Sequence, residues 1–299
     1  MSSPHRPDVS VILVNYNDRE HLGACLDSFR SEPSFPVREI ILVDNASTDG
    51  SAQFAASRYP EVRILRNEAN LGFSRANNQA AREARGGLLF FLNTDAALLP
   101  GALDVLTAAL EKSPRAGAAG PALVRGPGRH QVSFGRRVDF AAQFVQKAVI
   151  NPYRKIQLRF ARKSRPVGWL SAAGLLCRAE AFAGVGGFDE NFFIYFEDID
   201  LCLRMRRAGW TILYVPESRV FHAGGATTAP RRARSRLEYR RSQLYFYEKH
   251  NSRASLGLLR AYLRTALTLA RLRGGFRGAE GRSLRREYQA MLKRDGRRT

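Results

Sequence analysis

Three carboxylates fall within four residues at Glu197, Asp198 and Asp200, directly after an aromatic and apolar run holding Phe192, Phe193, Tyr195 and Phe196. Asp189 and Glu190 stand just upstream. A carboxylate beside apolar bulk is harder to ionise, so a group placed there can be tuned to take a proton from a substrate. The residues that follow read as a helix, with Leu201 and Met205 four apart and Asp200 facing Arg204 at the same spacing. A helix start alone also favours acidic residues, because the macrodipole attracts them. Polar clusters elsewhere in the chain weigh against that simpler reading.

Those clusters sit where strands end. Short β-branched or apolar runs at Val9–Asn15, Glu39–Val43, Val62–Leu65 and Leu88–Leu92 alternate with helical spacings over His21–Arg30, Ala52–Arg58, Ser74–Ala84 and Ala102–Lys112. This alternation predicts an α/β fold with a mostly parallel central sheet and helices on both faces. Ligands bind such sheets beyond the carboxyl ends of the strands. Asn15-Tyr16-Asn17, Asp44-Asn45 and Asn93-Thr94-Asp95 all occupy such ends. The first strand is not followed by GxGxxG, and no GxxxxGK[ST] occurs anywhere. A diphosphate bound here therefore needs another counter-charge, which a divalent cation on carboxylate oxygen would supply, with Asp95 as the candidate ligand. Thr211–Val215 reads as a strand ending at Pro216, and His222 sits at a further strand end before Gly224-Gly225, a second plausible ligand position. Trp169 precedes the small residues Ser171 to Gly174, which suits close approach of a ligand or of backbone.

The chain has 299 residues, 44% hydrophobic and 25% charged, as expected of a folded protein with a substantial core. Cys25, Cys177 and Cys202 are far apart and form no CxxC pair, which argues against a zinc site or disulfide framework and for a reducing compartment. No signal-peptide pattern and no bilayer-spanning apolar run is present, so a cytoplasmic location is expected. Residues 125–166 are irregular and basic, a candidate lid or acceptor-side insert. Formal charge is +21, and residues 229–299, a basic helical extension, hold 20 Lys+Arg against 5 Asp+Glu. Such a tail suits an anionic surface. Within it, Ser255–Leu272 reads as an amphipathic helix with Leu256, Leu259, Leu263, Leu267 and Ala270 as its apolar stripe. That stripe either enters the headgroup region of a membrane or packs on the catalytic domain.

Taken together, Val-Ser-Val-Ile-Leu-Val-Asn-Tyr-Asn at 9–17, Val-Asp-Asn-Ala-Ser-Thr-Asp-Gly-Ser at 43–51 and Asn-Leu-Gly-Phe-Ser-Arg-Ala-Asn-Asn at 70–78 resemble the family 2 glycosyltransferases of GT-A fold, in their rhamnosyltransferase-like branch. Asn93-Thr94-Asp95, Gly186–Glu190, Phe196–Arg204 and His222 continue the match, which spans roughly 9–228 of a catalytic domain placed at 1–228. The resemblance implies inverting, metal-dependent transfer of a sugar, rhamnose from dTDP-rhamnose, to a glycan or lipid-linked acceptor in cell-surface polysaccharide synthesis, on the inner face of the membrane. By similarity Asn15, Asn17, Asp44, Asn45, Gly72, Phe73, Asn77, Asn93 and Asp95 surround the nucleotide sugar, and Asp95 and His222 hold Mg2+ or Mn2+. Asp198 matches the catalytic base, Glu197 positions the acceptor or its neighbouring carboxylate, and Trp169 and Arg204 lie on the acceptor side. Asn93 replaces the first Asp of the family's DxD motif, so one charged ligand is missing. A same-fold transferase using galactofuranose or N-acetylhexosamine is an alternative. So is a nucleic-acid-binding protein, since Tyr239, Tyr245, Phe246 and Tyr247 interleave with arginines; specific nucleic-acid binding is not the favoured expectation.

Overall fold

The computed structural model describes residues 8–30, 37–126, 129–136, 163–224, 232–272 and 278–293. Its first half alternates Val9–Asn15 (β1), Arg19–Arg30 (α1), Val37–Asp44 (β2), Ser51–Arg58 (α2), Val62–Arg66 (β3), Phe73–Glu83 (α3) and Leu88–Asn93 (β4). Ala96–Leu98 (β5), Ala102–Glu111 (α4), Ala116–Val124 (β6), Phe134–Gly135 (β7), Arg165–Pro166 (β8), Trp169–Leu170 (β9) and Gly174–Arg178 (β10) follow. Ala179–Gly184 (α5), Glu197–Arg207 (α6), Thr211–His222 (β11), Arg232–His250 (α7), Arg253–Leu272 (α8) and Gly278–Lys293 (α9) complete the described elements. The expected lid within 125–166 falls largely on 137–162, and the expected boundary at 228 on 225–231, both outside the described residues.

The main sheet runs β3-β2-β1-β4-β10-β6-β11-β5, with β8 on β11. β3, β2, β1 and β4 are all parallel, as are β6 and β11, while β10 is antiparallel to both its neighbours. β1 is buried on both faces, so its alternation directs Val11 and Leu13 to one core and Ile12 to the other. Helices α1, α2 and α4 cover the first face, and α3, α5 and α6 the second. Chain order reverses beside β1, with β2 on one side and β4 on the other, which opens a crevice at their carboxyl ends. Register sets Asn15 opposite Asp44 and Val14 opposite Asn93.

Pro216 does not end a strand as expected. β11 continues through it to His222, and the register against β6 slips between Val215 and Arg219. A bulge lets the ladder resume past a residue that cannot donate. The continued strand pairs His222 with Ala96, the neighbour of Asp95.

A third apolar cluster joins the C-terminal helices to the aromatic turn before α6. Leu244, Phe246 and Tyr247 of α7, Leu259 and Leu263 of α8 and Leu292 of α9 bury Phe192 and Phe196, with Leu256 and Leu267 packed at the margin. Of the two fates open to the α8 leucine stripe, packing is the one observed. Tyr245, Phe246 and Tyr247 are likewise committed to this cluster, Tyr245 edge-on to Phe192 at 4.8 Å and Phe246 against Phe196 at 5.5 Å, which removes them from base stacking.

Gly72 shows how closely the helices and this turn are fitted. Its φ is +85°, and a Cβ there would stand 2.7 Å from both the Phe193 ring and the Phe193 carbonyl oxygen, the same oxygen that accepts from Phe73 N at 2.7 Å. Gly72→Ala therefore combines left-handed strain with a backbone clash. We expect a loss of about 1–3 kcal/mol in urea unfolding; an unchanged midpoint would show that the Phe193 segment yields.

Candidate active site

Tyr195 and Phe196 have φ of +71° and +67°. Two consecutive side-chain-bearing residues in the left-handed region are strained and need surrounding packing to hold them. The third cluster supplies it, with Phe196 seated between Tyr239 and Phe246 and Ser242 donating to the Ile194 carbonyl at 2.7 Å. The turn delivers Glu197 and Asp198 as the first two residues of α6. Glu197 is buried, and among the described residues its Oε2 meets no hydrogen-bond partner. Burial first, then the neighbouring Asp198, pushes its carboxyl well above the usual range. Asp198 is partly exposed. Burial raises its carboxyl to about 6, against the backbone N–H groups of Ala172 and Ile199 that stabilise its charge. Those amides donate to Oδ2 at 3.2 Å and Oδ1 at 2.8 Å. Burial thus favours the neutral form of Glu197, while the two backbone amides favour the ionised form of Asp198. Separation of this kind assigns acid and base roles to adjacent carboxyls. The small residues after Trp169 admit the close approach of α6: Ala172 N donates to Asp198, and Leu170 O lies 3.9 Å from Cys202 Sγ.

One turn on, Asp200 is completely buried. Arg204 Nε donates to its Oδ2 at 2.7 Å, while Lys249 Nζ at 2.8 Å and His250 Nε2 at 2.6 Å, both from α7, reach Oδ1. Burial would raise this carboxyl, but the His250 hydrogen bond and the Arg204 and Lys249 charges outweigh it and hold it below the ordinary value. Arg204 also donates to the carbonyls of Val185, at 2.5 Å, and Gly187, at 2.7 Å. Its guanidinium is thus engaged inside the protein, behind the acid pair, instead of facing an open acceptor side. Lys249 further reaches Asp189 at 2.6 Å, to which Tyr245 donates at 2.8 Å. Trp169 of β9 pairs with Gly135 and lies so close over it that a Cβ there would meet the ring at 2.4 Å.

At the carboxyl ends of β1 and β2, Asn15 Nδ2 donates to Asp44 Oδ1 at 3.1 Å and to Ser47 Oγ at 2.9 Å. Among the described residues the buried Asn15 Oδ1 has no partner. Asn17, at φ +54°, accepts from Thr48 N through Oδ1 at 2.7 Å. Asn45 is buried and binds both ends of the 67–72 segment, donating to Asn70 Oδ1 at 2.9 Å and accepting from Leu71 N at 3.0 Å. Asn77 Nδ2 donates to the Phe73 carbonyl at 2.8 Å, inside α3. Asn78, which the sequence did not single out, clamps the chain before α6: it donates to Phe188 O at 2.8 Å and accepts from Phe188 N at 2.9 Å. Asn45 and Asn77 are therefore held by the protein, whereas the Asn15 and Asp44 oxygens form an acceptor-rich end.

Asp95 and His222 do come together, with Asp95 Oδ1 3.2 Å from His222 Nε2 and Asn93 Nδ2 3.4 Å from the same nitrogen. Gln131, invisible to sequence reasoning because its segment carries no motif, settles the ring's orientation. Its amide nitrogen donates to the His222 carbonyl, so its Oε1 faces Nδ1 at 3.0 Å and must accept a proton there. Nε2 then presents its lone pair toward the carboxylate unless a second proton is added. Two facing acceptors of this kind are reconciled by a proton or by a cation, and a histidine oriented through its other nitrogen is the usual arrangement of a metal ligand. Burial works against ionisation of Asp95, and only a His222 ring carrying the second proton holds its carboxyl below the ordinary value. Among the described residues no three His, Cys, Asp or Glu converge as a ligand set. An oxygen-nitrogen pair fits a divalent ion that takes its remaining ligands from phosphate and water. Behind it, Thr94 donates to the buried Asp18 at 2.7 Å, and Asp18 meets His21 at 2.6 Å.

Asp200 carries a stability prediction. Its carboxyl is depressed in the folded state, so it stabilises the protein above pH 3.8, the unfolded value, and that contribution is lost as pH falls through the folded value. Asp200→Ala removes the shared acceptor of Arg204, Lys249 and His250 and leaves the Arg204 and Lys249 charges facing one another, so urea unfolding at pH 7 should show a loss of about 3 kcal/mol or more. A change under 1 kcal/mol would contradict the role given to this carboxylate.

The model of glycosyl transferase family 2 matches residues 10–182. The N-acetylglucosaminyl-diphospho-decaprenol L-rhamnosyltransferase of Mycobacterium tuberculosis is 36% identical over 280 residues, covering 87% of this chain and 90% of that protein. The O-antigen biosynthesis protein RfbC of Myxococcus xanthus is 29% identical over 229 residues, 74% of this chain and 18% of that one. Among solved structures, a mannosyltransferase from Pyrobaculum calidifontis in complex with GDP-Man and Mn2+ superposes with a TM-score of 0.58 at 18% identity, covering 96% of this chain and 85% of that chain. GalNAc-T7 with UDP, GalNAc and Mn2+ superposes with a TM-score of 0.60 at 19% identity, covering 82% and 50%. These two show the fold alone. The residues matched and the 36% identity over 87% of the chain make it a family 2 glycosyltransferase of GT-A architecture.

Proposed function

We propose that this protein transfers L-rhamnose from dTDP-rhamnose, with inversion, to a lipid-linked N-acetylglucosamine acceptor at the cytoplasmic face of the membrane, in cell-surface polysaccharide synthesis. The observation that carries the reaction is the geometry of the Glu197–Asp198 pair at the start of α6, where Glu197 is buried and Asp198 is partly exposed and held by the Ala172 and Ile199 amides. Asp198 accepts the proton of the acceptor hydroxyl as its oxygen bonds to the anomeric carbon. The bond from that carbon to the diphosphate breaks on the opposite face, which inverts the configuration. Glu197, neutral, orients the hydroxyl as a hydrogen-bonding partner. Asn15 Oδ1, buried beside the Asp44 carboxylate and without a partner among the described residues, would accept from the imide N–H of thymine or uracil, which supports a thymidine or uridine donor. Asp95 and His222 would hold a divalent ion, which supplies Lewis-acid stabilisation to the departing diphosphate. The sugar and acceptor follow the mycobacterial relative.

A donor panel tests this reading. With Mn2+ or Mg2+ and a polyprenyl-diphosphate N-acetylglucosamine acceptor, nucleoside diphosphate release should be seen with dTDP-rhamnose and not with UDP-galactofuranose or UDP-N-acetylglucosamine. Preference for either UDP-sugar would replace the rhamnose assignment.

Asp198→Asn keeps the shape and removes the basicity, so turnover should fall at least about a hundredfold with little change in donor binding. Near-normal turnover would remove Asp198 from the role of base. Asp95→Ala and His222→Ala should each weaken cation-dependent binding of dTDP-rhamnose by about tenfold or more in calorimetry, the scale of losing one ligand, and EDTA should abolish wild-type turnover. Full turnover in EDTA would sink the metal role of both residues.

A further inference from the structure

With the leucine stripe of α8 turned inward, the helix should present only polar residues outward, and it does not. Successive residues advance about 100° around an α-helix. Leu259, Leu263 and Leu267 project to one side, where they pack against the third cluster. On the opposite side lie Ala254, Leu258, Ala261, Tyr262, Thr265, Leu269 and Leu272, all exposed and none charged. Leu258 is 55% exposed and Leu272 78%. Arg253, Arg264 and Arg271 fall together on one flank of this face, at spacings of eleven and seven. α8 is thus apolar on two faces, and among the described residues the leucines of the outer one, Leu258, Leu269 and Leu272, stay exposed. The helix is long enough for the outer face to run about 27 Å from Ala254 to Leu272.

We propose that the outer face of α8 is the surface by which the enzyme lies on an anionic lipid bilayer, with Leu258, Tyr262, Leu269 and Leu272 in the headgroup–acyl boundary and Arg253, Arg264 and Arg271 against lipid phosphates. Charge complementarity selects this occupant. Residues 229–299 hold 20 Lys+Arg against 5 Asp+Glu, a surplus that would repel a second copy of the chain at the same face and attract an anionic leaflet. Helices that combine an apolar face, a cationic flank and no membrane-spanning length bind in the interface plane, and among the described residues no helix is long and apolar enough to cross a membrane. The aromatic turn anchored by α7 and α8 carries Glu197 and Asp198, so docking through α8 fixes the acid pair relative to the bilayer. The proposal rests on the lipid-linked acceptor reading for its purpose, but its test does not require turnover.

Full-length protein is sedimented with vesicles of phosphatidylglycerol or of phosphatidylcholine at low and high salt. Wild type should bind phosphatidylglycerol, bind phosphatidylcholine weakly, and lose binding as salt shortens the Debye length. A triple variant Leu258→Glu, Leu269→Glu, Leu272→Glu should bind at least tenfold more weakly while its thermal unfolding and its release of dTDP from dTDP-rhamnose in detergent stay unchanged. Arg253→Gln, Arg264→Gln, Arg271→Gln should lower the preference for anionic vesicles by roughly a hundredfold at most, three interfacial charges' worth. Undiminished vesicle binding by the leucine variant would overturn the proposal. So would a wild type that ignores vesicles and sediments as a dimer that the same variant dissociates, since that assigns the face to a second copy. Vesicle binding without dTDP release would leave the docking face standing and count against the rhamnosyltransferase reading alone.

Discussion

The structure depends on one buried carboxylate. Asp200 has no contact with solvent and is tolerable only because Arg204, Lys249 and His250 surround it. Desolvating a poorly paired carboxylate costs several kcal/mol, and separating α6 from α7 would strip Asp200 of Lys249 and His250 and leave it Arg204 of its own helix. Arg204 extends the constraint to the carbonyls of Val185 and Gly187, and Lys249 extends it to Asp189. The loop before α6, the helix itself and the C-terminal extension are thereby tied at one point. Glu197 and Asp198 sit one turn away on the same helix, and their position inherits that rigidity. The C-terminal helices are part of the wall behind the acid pair, which is why a strained Tyr195–Phe196 turn can persist there.

Around this point the polar groups divide into those held by the protein and those left with open atoms. Asn45, Asn78 and Arg204 each bond several protein groups and shape the loops, and Asn77 donates to the Phe73 carbonyl. Among the described residues Asn15 Oδ1 and Glu197 Oε2 meet no partner, and with the Asp95–His222 pair they mark where a ligand would complete the bonding. Replacement of the first acidic residue of the motif by Asn93 leaves its amide beside His222 Nε2, so the position still touches the same nitrogen even without a charge.

The sheet and the strand-end polar residues were legible because both follow from local rules: apolar runs of four to seven residues, helical spacing between them, and the requirement that ligands bind at carboxyl ends. The pair of i,i+4 residues Asp200 and Arg204 was legible for the same reason. Pro216 misled because its missing donor is absorbed by a bulge that depends on the neighbouring strand β6, which has no sequence signature in β11 itself. The partners of Asp200 lie fifty residues away on α7, and Gln131 lies ninety-one residues from His222; such pairings exist only in the folded chain. The apolar stripe of α8 was visible, but an amphipathic pattern reports that one face is buried without saying against what. Its second apolar face was hidden by the first, since spacings of three and four were already satisfied.

The central claim is that the acid pair works with Asp198 ionised and Glu197 protonated. It is tested most directly by comparing pH–rate profiles of kcat/KM for wild type and Glu197→Gln. The wild-type rate should fall tenfold per pH unit below about 6, where Asp198 takes up a proton. Gln mimics a neutral Glu197, so the variant should retain measurable turnover and keep its acidic limb near the same pH. A Glu197→Gln enzyme that is inactive at every pH, or whose acidic limb has vanished, would show that Glu197 carries the ionisation on which the reaction depends and would contradict the account.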